Sequence, residues 1–313
     1  MTVWVIFICS ILLFLALDLG IFNKTPHVIS TKEASFWTLI WVSIALCFSF
    51  VVFLIFKNNW VANPTQLTPL DAALKYVTGY LIELSLSIDN IFVIAVIFSS
   101  FKIPQKYQHR VLFWGIIGAI VFRALMIFFG VALFERFSWI TYVFGVFLIF
   151  TAIKLLISKE SKEYNPKKSF IYKTVRKIIP ITTTVDNEYF FVRKKHLLVA
   201  TPLFLVLILV EFTDILFAFD SIPAILAITT NPFIVFSSNI LAILGLRSMY
   251  FFLSNMTSKF YFIKYSLVAI LTFVGVKLLL AHHYKFPEWF SLSFIFVALA
   301  IGIVVSVKSK VKA

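Results

Sequence analysis

The sequence predicts an all-α, polytopic membrane protein of about nine transmembrane helices. Of its 313 residues, 61% are hydrophobic and only 13% are charged, whereas about a quarter of the residues in a soluble domain are charged. The mean hydropathy is +0.99. Apolar runs of the length that crosses a bilayer as a helix recur along the whole chain. We therefore expect a single transmembrane domain that fills residues 1–313.

Nine apolar runs predict the individual helices. The third and sixth runs hold about thirty residues each, more than one straight crossing needs, so we expect them to tilt, bend or be interrupted. Thr68 and Pro69 supply an N-cap and a first-turn proline for the third run. The nine runs are Val3 to Phe22, Phe36 to Phe56, Leu70 to Phe101, Val111 to Phe134, Trp139 to Ile157, Leu197 to Ile228, Phe233 to Leu253, Ile263 to Ala281 and Trp289 to Val307.

The basic residues predict how the chain is oriented. Loops rich in Lys and Arg remain on the cytoplasmic side of a membrane, and the segment 158–196 carries ten such residues. If this loop is cytoplasmic and successive helices cross the membrane in alternating directions, the N-terminus lies outside and the C-terminus inside. The formal charge of +14 is thus an orientation signal, and we do not expect nucleic-acid binding.

Charged residues inside the predicted spans are the candidates for function. An ionised side chain near the bilayer centre costs about 2.5–3.5 kcal/mol on insertion scales. The predicted spans contain six carboxylates and four cations, which leaves two negative charges when all are ionised. A divalent cation or protons would neutralise these two charges. The alternative is that each acid only forms a salt bridge that holds two helices together. The acids are Asp18, Glu83, Asp89, Glu211, Asp214 and Asp220, and the cations are Arg123, Lys154, Arg247 and Lys277.

These charges recur in two halves of the chain. The motif from Glu83 to Asn90 resembles the motif from Asp214 to Ser221, since each has an acid, five further residues, an Asp and a small polar residue. Three helices per half is an odd number, so the second half enters the membrane from the opposite side. This predicts an inverted 3+3 repeat, as in alternating-access transporters. The predicted units are residues 70–157 and 197–281, joined by the basic cytoplasmic loop 158–196 and followed by a final helix at 289–307.

The donor types indicate which ion such a site binds. Carboxylate, amide and hydroxyl oxygens suit hard cations such as Mg²⁺, Ca²⁺ and Mn²⁺. The five histidines lie in loops or at helix ends, and Cys9 and Cys47 have no second ligand nearby in sequence. No phosphate-binding loop and no hydrolase motif occurs. We therefore expect a secondary transporter with no resident cofactor, not an enzyme, in which protons exchange for the metal.

Helix geometry adds an expectation about the third and sixth runs. Residues six apart point about 120° away from each other around a straight helix, so Glu83 and Asp89 cannot both face one ion. Ser85 and Ser87 can bond freed backbone groups, and Pro223 removes a donor shortly after Asp220. We expect interrupted or kinked helices around Asp89 and Asp220.

The chain resembles the TerC/Alx family of integral membrane proteins. The matching stretches are TGYLIELSLSIDNIFVIAVIFSSFKIPQKYQHRVLFWGIIGA, LVEFTDILFAFDSIPAILAITTNPFIV, AILGLRSMYFFL, ALDLGIF and GVKLLLAHHYKFP. The resemblance implies a multi-pass protein of the bacterial cytoplasmic membrane that exports Mn²⁺ and is associated by name with tellurium resistance. Leu84 stands where members commonly carry Lys.

The resemblance also implies which residues handle the metal. They are Glu83, Asp89, Asn90, Asp214, Asp220 and Ser221 most directly, then Glu211 and Asp18, with Arg123, Lys154, Arg247 and Lys277 in charge compensation or gating. The expected partners are the divalent ion, the lipid bilayer, a second copy of the chain and the secretion machinery. The alternative function is a membrane scaffold or assembly factor that helps secreted and membrane proteins mature or acquire metal.

Overall fold

A computed structural model describes most of the chain. The described residues are 2–17, 29–137, 139–157, 172, 174, 180–182, 189–194, 197–254, 263–280, 284 and 286–308. Within these ranges the side chains of Asp89 and Asp220, and those of residues 134, 135, 194, 197, 198, 263, 288 and 307, are not described. Asp18 lies outside the described residues.

The described part of the chain forms nine helices and one short hairpin. Seven of the helices, all except α1 and α8, are long and apolar enough to cross a membrane. Helix α1 has 16 residues, and the predicted remainder of that run lies outside the described residues. The elements are α1 (Thr2–Leu17), α2 (Thr31–Lys57), α3 (Pro69–Ser100), α4 (Gln105–Arg136), α5 (Ile140–Ile157), β1 (Phe191–Lys194), β2 (Leu197–Ala200), α6 (Pro202–Leu226), α7 (Pro232–Ser254), α8 (Ile263–Leu280) and α9 (Glu288–Lys308).

The start of the sixth apolar run is not helical, which corrects the prediction of a helix from Leu197. Residues 197–200 form β2, which pairs antiparallel with β1 in a register that sets Phe191 opposite Ala200. Thr201 Oγ1 donates to the Tyr189 carbonyl at 2.7 Å. Pro202 then occupies the first turn of α6, where its missing N–H costs nothing. Helix α4 also begins earlier than predicted, at Gln105.

Helices α3 and α6 run without a break through Asp89 and Asp220, so the predicted interruption is wrong, while the alternative of a kink at these positions stays a prediction. Two of the polar side chains nearby bond carbonyls of their own helix. Ser85 Oγ donates to the Ile82 carbonyl at 2.7 Å, and Thr213 Oγ1 donates to the Val210 carbonyl at 2.8 Å. Pro223 lies within the last turn of α6, where little helix remains to be broken.

Glycine packing brings the two halves of the chain together. Helix α5 crosses α8 where Gly145 meets Gly275, and a Cβ on Gly275 would lie 2.9 Å from the Gly145 carbonyl oxygen. Helix α3 packs against α2, α6 and α7, α4 packs against α6 and α7, and α9 covers α8 and α3. Nearly all of α7 is buried, so α7 lies at the centre of the bundle.

The outer faces of the bundle are apolar. Large hydrophobic side chains such as Leu39, Phe128 and Ile157 are about two-thirds exposed, and many more on α1, α2, α4, α5 and α9 are at least one-third exposed. A water-soluble protein rarely exposes so much continuous apolar surface. The chain is thus a multi-pass integral membrane protein whose outer faces contact lipid.

Candidate functional site: a buried ion cluster

Four helices direct polar side chains to one buried place. Glu83 and Asn90 are seven residues apart on α3, which puts them on the same face two turns apart. Arg123 reaches them from α4, Asp214 from α6 and Asn239 from α7. All five side chains are buried. The four helices are otherwise apolar, so these five side chains form a polar cluster inside a hydrophobic bundle.

Arg123 holds the cluster together. Its Nη2 donates to Asp214 Oδ1 at 3.1 Å and its Nε donates to Asp214 Oδ2 at 3.4 Å. Its Nη1 donates to Glu83 Oε1 and to Asn239 Oδ1, the latter at 3.0 Å. The planar guanidinium matches the two oxygens of a carboxylate, so Asp214 is bound in a bidentate manner while Glu83 shares the same cation.

The carboxylate of Asp214 accepts hydrogen bonds at both oxygens, whereas that of Glu83 accepts them at Oε1 alone among the described residues. Asn90 Nδ2 adds a third hydrogen bond to Asp214, donating to Oδ1 at 2.9 Å. The other described donor to Glu83 is Ser87 Oγ, at 3.5 Å from Oε1. When both acids are ionised, two negative charges share one positive charge, so this part of the cluster keeps a net charge of −1.

Four buried oxygens lack a hydrogen-bond partner among the described residues. Burying a donor or acceptor without a partner costs roughly 1–3 kcal/mol, so each such atom needs an explanation. All four belong to α3 or α6, and oxygens of these types are the ligands of hard cations. They are Glu83 Oε2, Asn90 Oδ1, Glu211 Oε2 and Ser221 Oγ.

Glu211 occupies a place that only glycine leaves open. Its carboxylate lies against Gly118 of α4, where a Cβ would overlap Oε1 and Oε2. Glu211 precedes Asp214 by three residues and so lies on a neighbouring part of the same helix face. Gly115, one turn away on α4, is less confined, because its Cβ would make an ordinary 3.5 Å contact with Val210.

The structure brings some predicted site residues together. Glu83, Asn90, Asp214 and Arg123 form the cluster. Ser221 is buried on α6 two turns after Asp214. The backbones of Asp89 and Asp220 lie in α3 and α6 beside Asn90 and Ser221, and the assignment of their side chains to the metal stays a prediction.

The other predicted cations lie apart from the cluster. Lys154 is exposed in the last turn of α5. Lys277 is buried in the last turn of α8, where its Nζ donates to Ser291 Oγ of α9 at 3.0 Å. Arg247 follows Asn239 by eight residues on α7, about 12 Å along the helix. Arg123 is the cation that pairs with both Glu83 and Asp214.

Two residues of the candidate site were not predicted from the sequence. Asn239 accepts from Arg123, and its Nδ2 donates to the Val235 carbonyl at 3.0 Å. Its signal was a polar Ser237-Ser238-Asn239 triplet inside an apolar run. Gly118 gave no comparable signal, since only the packing of Glu211 shows why it matters.

Within the described part of the chain, no three His, Cys, Asp or Glu side chains are grouped as a metal site would need. The described cluster supplies two carboxylates, two amides and one guanidinium. Any further anionic ligand has to come from Glu211 or from side chains that are not described.

Comparison with known proteins places the chain in a family. Residues 68–313 match the family described as integral membrane protein TerC family. The chain belongs to the TerC family. Its relatives include an uncharacterized membrane protein of Myxococcus xanthus, 49% identical over 98% of this chain and 92% of that protein. No solved structure matches.

Named relatives of this TerC-family chain include Alx proteins. The Salmonella typhi protein called "Putative membrane-bound redox modulator Alx" is 44% identical over 97% of this chain and 93% of its own length. The Escherichia coli K12 protein of the same name is 44% identical over 97% and 93%.

Proposed function

We propose that this protein is a secondary transporter that exports a hard divalent cation, with Mn²⁺ as the first candidate, across the cytoplasmic membrane. The observation that carries the proposal is the unequal charge of the cluster. Two buried carboxylates share one arginine, while four buried oxygens on α3 and α6 lack a described partner. A cation beside Glu83 would supply the missing positive charge and a contact for Glu83 Oε2 and Ser221 Oγ, two of these four oxygens.

The chemistry of the donors supports a hard ion. Carboxylate, amide and hydroxyl oxygens bind Mn²⁺, Mg²⁺ and Ca²⁺ in preference to softer metals. Glu83 is the better ligand of the two paired acids, because Asp214 already accepts three hydrogen bonds. In the absence of the metal, protons would neutralise the excess negative charge, which makes proton exchange the coupling we infer. The choice of Mn²⁺ comes from the resemblance described above.

An inverted repeat of α3–α5 and α6–α8 is part of the proposal. In such a repeat α3 corresponds to α6, and α4 corresponds to α7. The contact between α3 and α7 then corresponds to the contact between α6 and α4, and both contacts are present. Lys75 near the start of α3 donates to the Ile228 carbonyl just after α6, at 2.7 Å, as expected for antiparallel α3 and α6. With the basic segments inside, the N-terminus lies outside and the C-terminus inside.

The same symmetry suggests where the cation lies. Glu83 corresponds to Asp214, and Asn90 corresponds to Ser221. Asn90 bonds Asp214, but in the corresponding place Ser221 Oγ and Glu83 Oε2 both lack a described partner. Serine is shorter than asparagine, so Ser221 does not reach Glu83 in the way that Asn90 reaches Asp214. We assign the ion to this side of the cluster, with Asp89 and Asp220 as predicted additional ligands.

Transport by reconstituted protein tests the proposed function. Vesicles containing the wild type or the Asp89→Asn, Asp220→Asn double variant would be loaded with Mn²⁺, Mg²⁺ or Ca²⁺ at several pH values. We expect wild-type transport of Mn²⁺ coupled to proton movement, and a loss of at least tenfold in the double variant. Normal transport by the double variant would remove these residues from the site. Wild-type protein that moves no metal but co-isolates with secretion machinery would favour the scaffold alternative.

The name of the Alx relatives describes a redox role, which the thiols of this chain do not support directly. Cys9 on α1 and Cys47 on α2 are both free and exposed, and neither belongs to the buried cluster. We infer that any redox effect of this protein follows from the metal it moves. A variant with both cysteines changed to Ser should transport Mn²⁺ at the wild-type rate.

A further inference from the structure

The repeat proposed above allows each contact in one half of the bundle to be compared with its counterpart in the other half. The motif match relates Glu83 to Asp214, so counterparts in α3 and α6 lie 131 positions apart. Arg123 and Arg247 occupy matching places in α4 and α7, where counterparts lie 124 positions apart. A contact of α3 with α7 therefore has a counterpart between α6 and α4.

Near the centre of the bundle the two halves pack alike. A Cβ on Gly79 of α3 would lie 3.0 Å from Ser238 Oγ of α7. In the other half, a Cβ on Gly115 of α4 would lie 3.5 Å from Val210 Cγ1 of α6. Val210 is the counterpart of Gly79, and Gly115 lies one position from the counterpart of Ser238. This agreement supports the correspondence of the two halves.

Away from the centre, the end of the α4–α6 pair is closed. Leu226 at the end of α6 packs on the backbone of α4 at Gly130, where a Cβ would lie only 3.0 Å from Leu226 Cδ1. Ile222 Cγ2, from one turn earlier, would lie 3.5 Å from the same Cβ. Both apolar side chains are buried. Direct packing therefore leaves no passage between the two helices at this point.

The corresponding end of the α3–α7 pair contains a pocket instead. The counterparts of Leu226 and Gly130 are Ala95 and Ser254, and both of these line a cavity of about 530 Å³. Because alanine is much smaller than leucine, Ala95 leaves space that Leu226 fills in the other half. Ala95 follows Asn90 of the ion cluster by five residues, about 7.5 Å along the helix. The pocket thus leads towards the cluster.

The walls of this pocket are polar. Ser99, Lys102 and Gln105 line it and are exposed, so they form its rim, whereas Gln108 and Tyr250 line it and are buried. Tyr250 Oη donates to Gln108 Oε1 at 2.9 Å, which fixes the inner wall. Lys102 carries the charge of the lining and lies at the rim. A polar pocket of this size holds several water molecules, as the entry of a hydrated ion requires.

Basic residues mark this as the cytoplasmic end of the bundle, since Lys102, Lys106 and Arg110 lie here. We propose that the pocket is the cytoplasmic entrance through which the hydrated cation reaches the cluster, while the packing of Leu226 on Gly130 closes the external side. The structure thus corresponds to the inward-open state of a transport cycle, and export requires Leu226 to move away from Gly130. This proposal rests on the transport function proposed above and adds the route to its site.

Thiol labelling of single-cysteine variants tests the route. Each variant is built on protein in which Cys9 and Cys47 are changed to Ser. It is labelled without metal, in vesicles of each orientation, by a charged methanethiosulfonate that does not cross membranes. We expect Ala95→Cys to react from the cytoplasmic side at least tenfold faster than Val96→Cys. Val96 is the matched control, because it is exposed on the same helix but does not line the pocket. Leu226→Cys should react at least tenfold more slowly than Ala95→Cys from either side.

Filling the pocket connects the route to transport. Ala95→Trp should lower Mn²⁺ transport by reconstituted protein at least tenfold, whereas Val96→Trp should transport Mn²⁺ at the wild-type rate. Lys102→Gln should transport Mn²⁺ at least as fast as the wild type, because a lysine at the entrance repels a cation. Slower transport by Lys102→Gln would contradict entry of a cation through this rim.

The outcomes separate the route from the transport function. In protein that transports Mn²⁺, equal labelling of Ala95→Cys and Val96→Cys would overturn the entrance and leave the transport function standing. Rapid external labelling of Leu226→Cys without metal, or normal transport by Ala95→Trp, would do the same. Wild-type protein that moves no metal would overturn the transport function and this route with it. Thermal unfolding confirms that each variant is folded, and Ser254→Cys and Ser254→Trp replace the Ala95 variants if those are not.

Discussion

Arg123 on α4 binds Asp214 on α6 through two parallel contacts, Nη2 to Oδ1 at 3.1 Å and Nε to Oδ2 at 3.4 Å. The same guanidinium donates to Glu83 on α3. One cation therefore joins the two acids that the sequence places at corresponding positions of its two halves. Three helices are tied at this point, and the stability of the bundle and the charge of the site depend on the same side chain.

Replacing Arg123 should destabilise the protein strongly. Arg123→Met leaves Glu83 and Asp214 buried without their cation, and breaking a buried ion pair costs about 3–5 kcal/mol. The thermal unfolding midpoint in detergent would show the loss. The control is Arg136→Gln at the exposed end of α4, which should change stability by less than about 0.5 kcal/mol.

A compensated variant separates charge from packing. Adding Glu83→Gln and Asp214→Asn to Arg123→Met removes the unpaired charges, because neutral replacements of a buried ionic group are often tolerated. We expect the triple variant to unfold at a higher temperature than Arg123→Met alone. A triple variant that is no more stable than Arg123→Met would show that Arg123 acts through packing.

Gly118→Ala should displace the Glu211 carboxylate. The new Cβ would overlap the carboxylate oxygens of Glu211, so either that side chain or α4 has to move. We expect metal transport to fall with a smaller effect on stability. Gly115→Ala is the matched control on the same helix, because its Cβ makes an ordinary contact of 3.5 Å. Equal transport by the two variants would argue against a role for Glu211.

The crossing of α5 and α8 should tolerate no side chain at Gly275. A Cβ there would lie 2.7 Å from Ile149 Cγ1 and 2.9 Å from the Gly145 carbonyl oxygen, and the backbone cannot yield as a side chain can. Gly275→Ala should lower stability by about 1–3 kcal/mol through overpacking, as measured by thermal unfolding. Gly245→Ala, with a 3.4 Å contact to Trp41, should be milder, and the reverse order would contradict this packing.

Tyr250→Phe tests a buried bond between α4 and α7. Tyr250 Oη donates to Gln108 Oε1 at 2.9 Å, and Gln108 Nε2 donates to the Ile103 carbonyl at 3.0 Å. Without the hydroxyl, a buried acceptor loses its partner at a cost of roughly 1–3 kcal/mol. Tyr284→Phe, at an exposed position, should be neutral in the same unfolding measurement.

Helix positions could be predicted from the sequence because a bilayer demands long apolar runs. Nine runs correspond to the nine helices of the described chain. The β2 strand could not be predicted, because its apolar residues continue directly into those of α6. Thr201 and Pro202 are nevertheless typical of a helix start, and α6 begins there. The predicted interruptions are absent because α3 and α6 continue as regular helices through Asp89 and Asp220. Ser85 can bond a freed backbone group or a carbonyl of its own helix, and the sequence does not determine that it bonds Ile82.

The candidate site could be predicted only in part. Because buried charges are costly, the sequence indicated that Glu83, Asp214 and Arg123 matter. It did not predict that the guanidinium of Arg123 would pair with both acids. That pairing depends on how α3, α4 and α6 approach one another. Asn239 was missed for the same reason, since its role exists only where α7 meets Arg123.

Binding of Mn²⁺ to the purified protein tests the central claim most directly. Equilibrium binding would be measured for the wild type, for Glu83→Gln, and for Glu33→Gln, which changes an acid on α2 outside the cluster. We expect Glu83→Gln to weaken binding at least tenfold and Glu33→Gln to leave it unchanged. Wild-type affinity in folded Glu83→Gln protein would contradict the assignment of the buried cluster as the cation site.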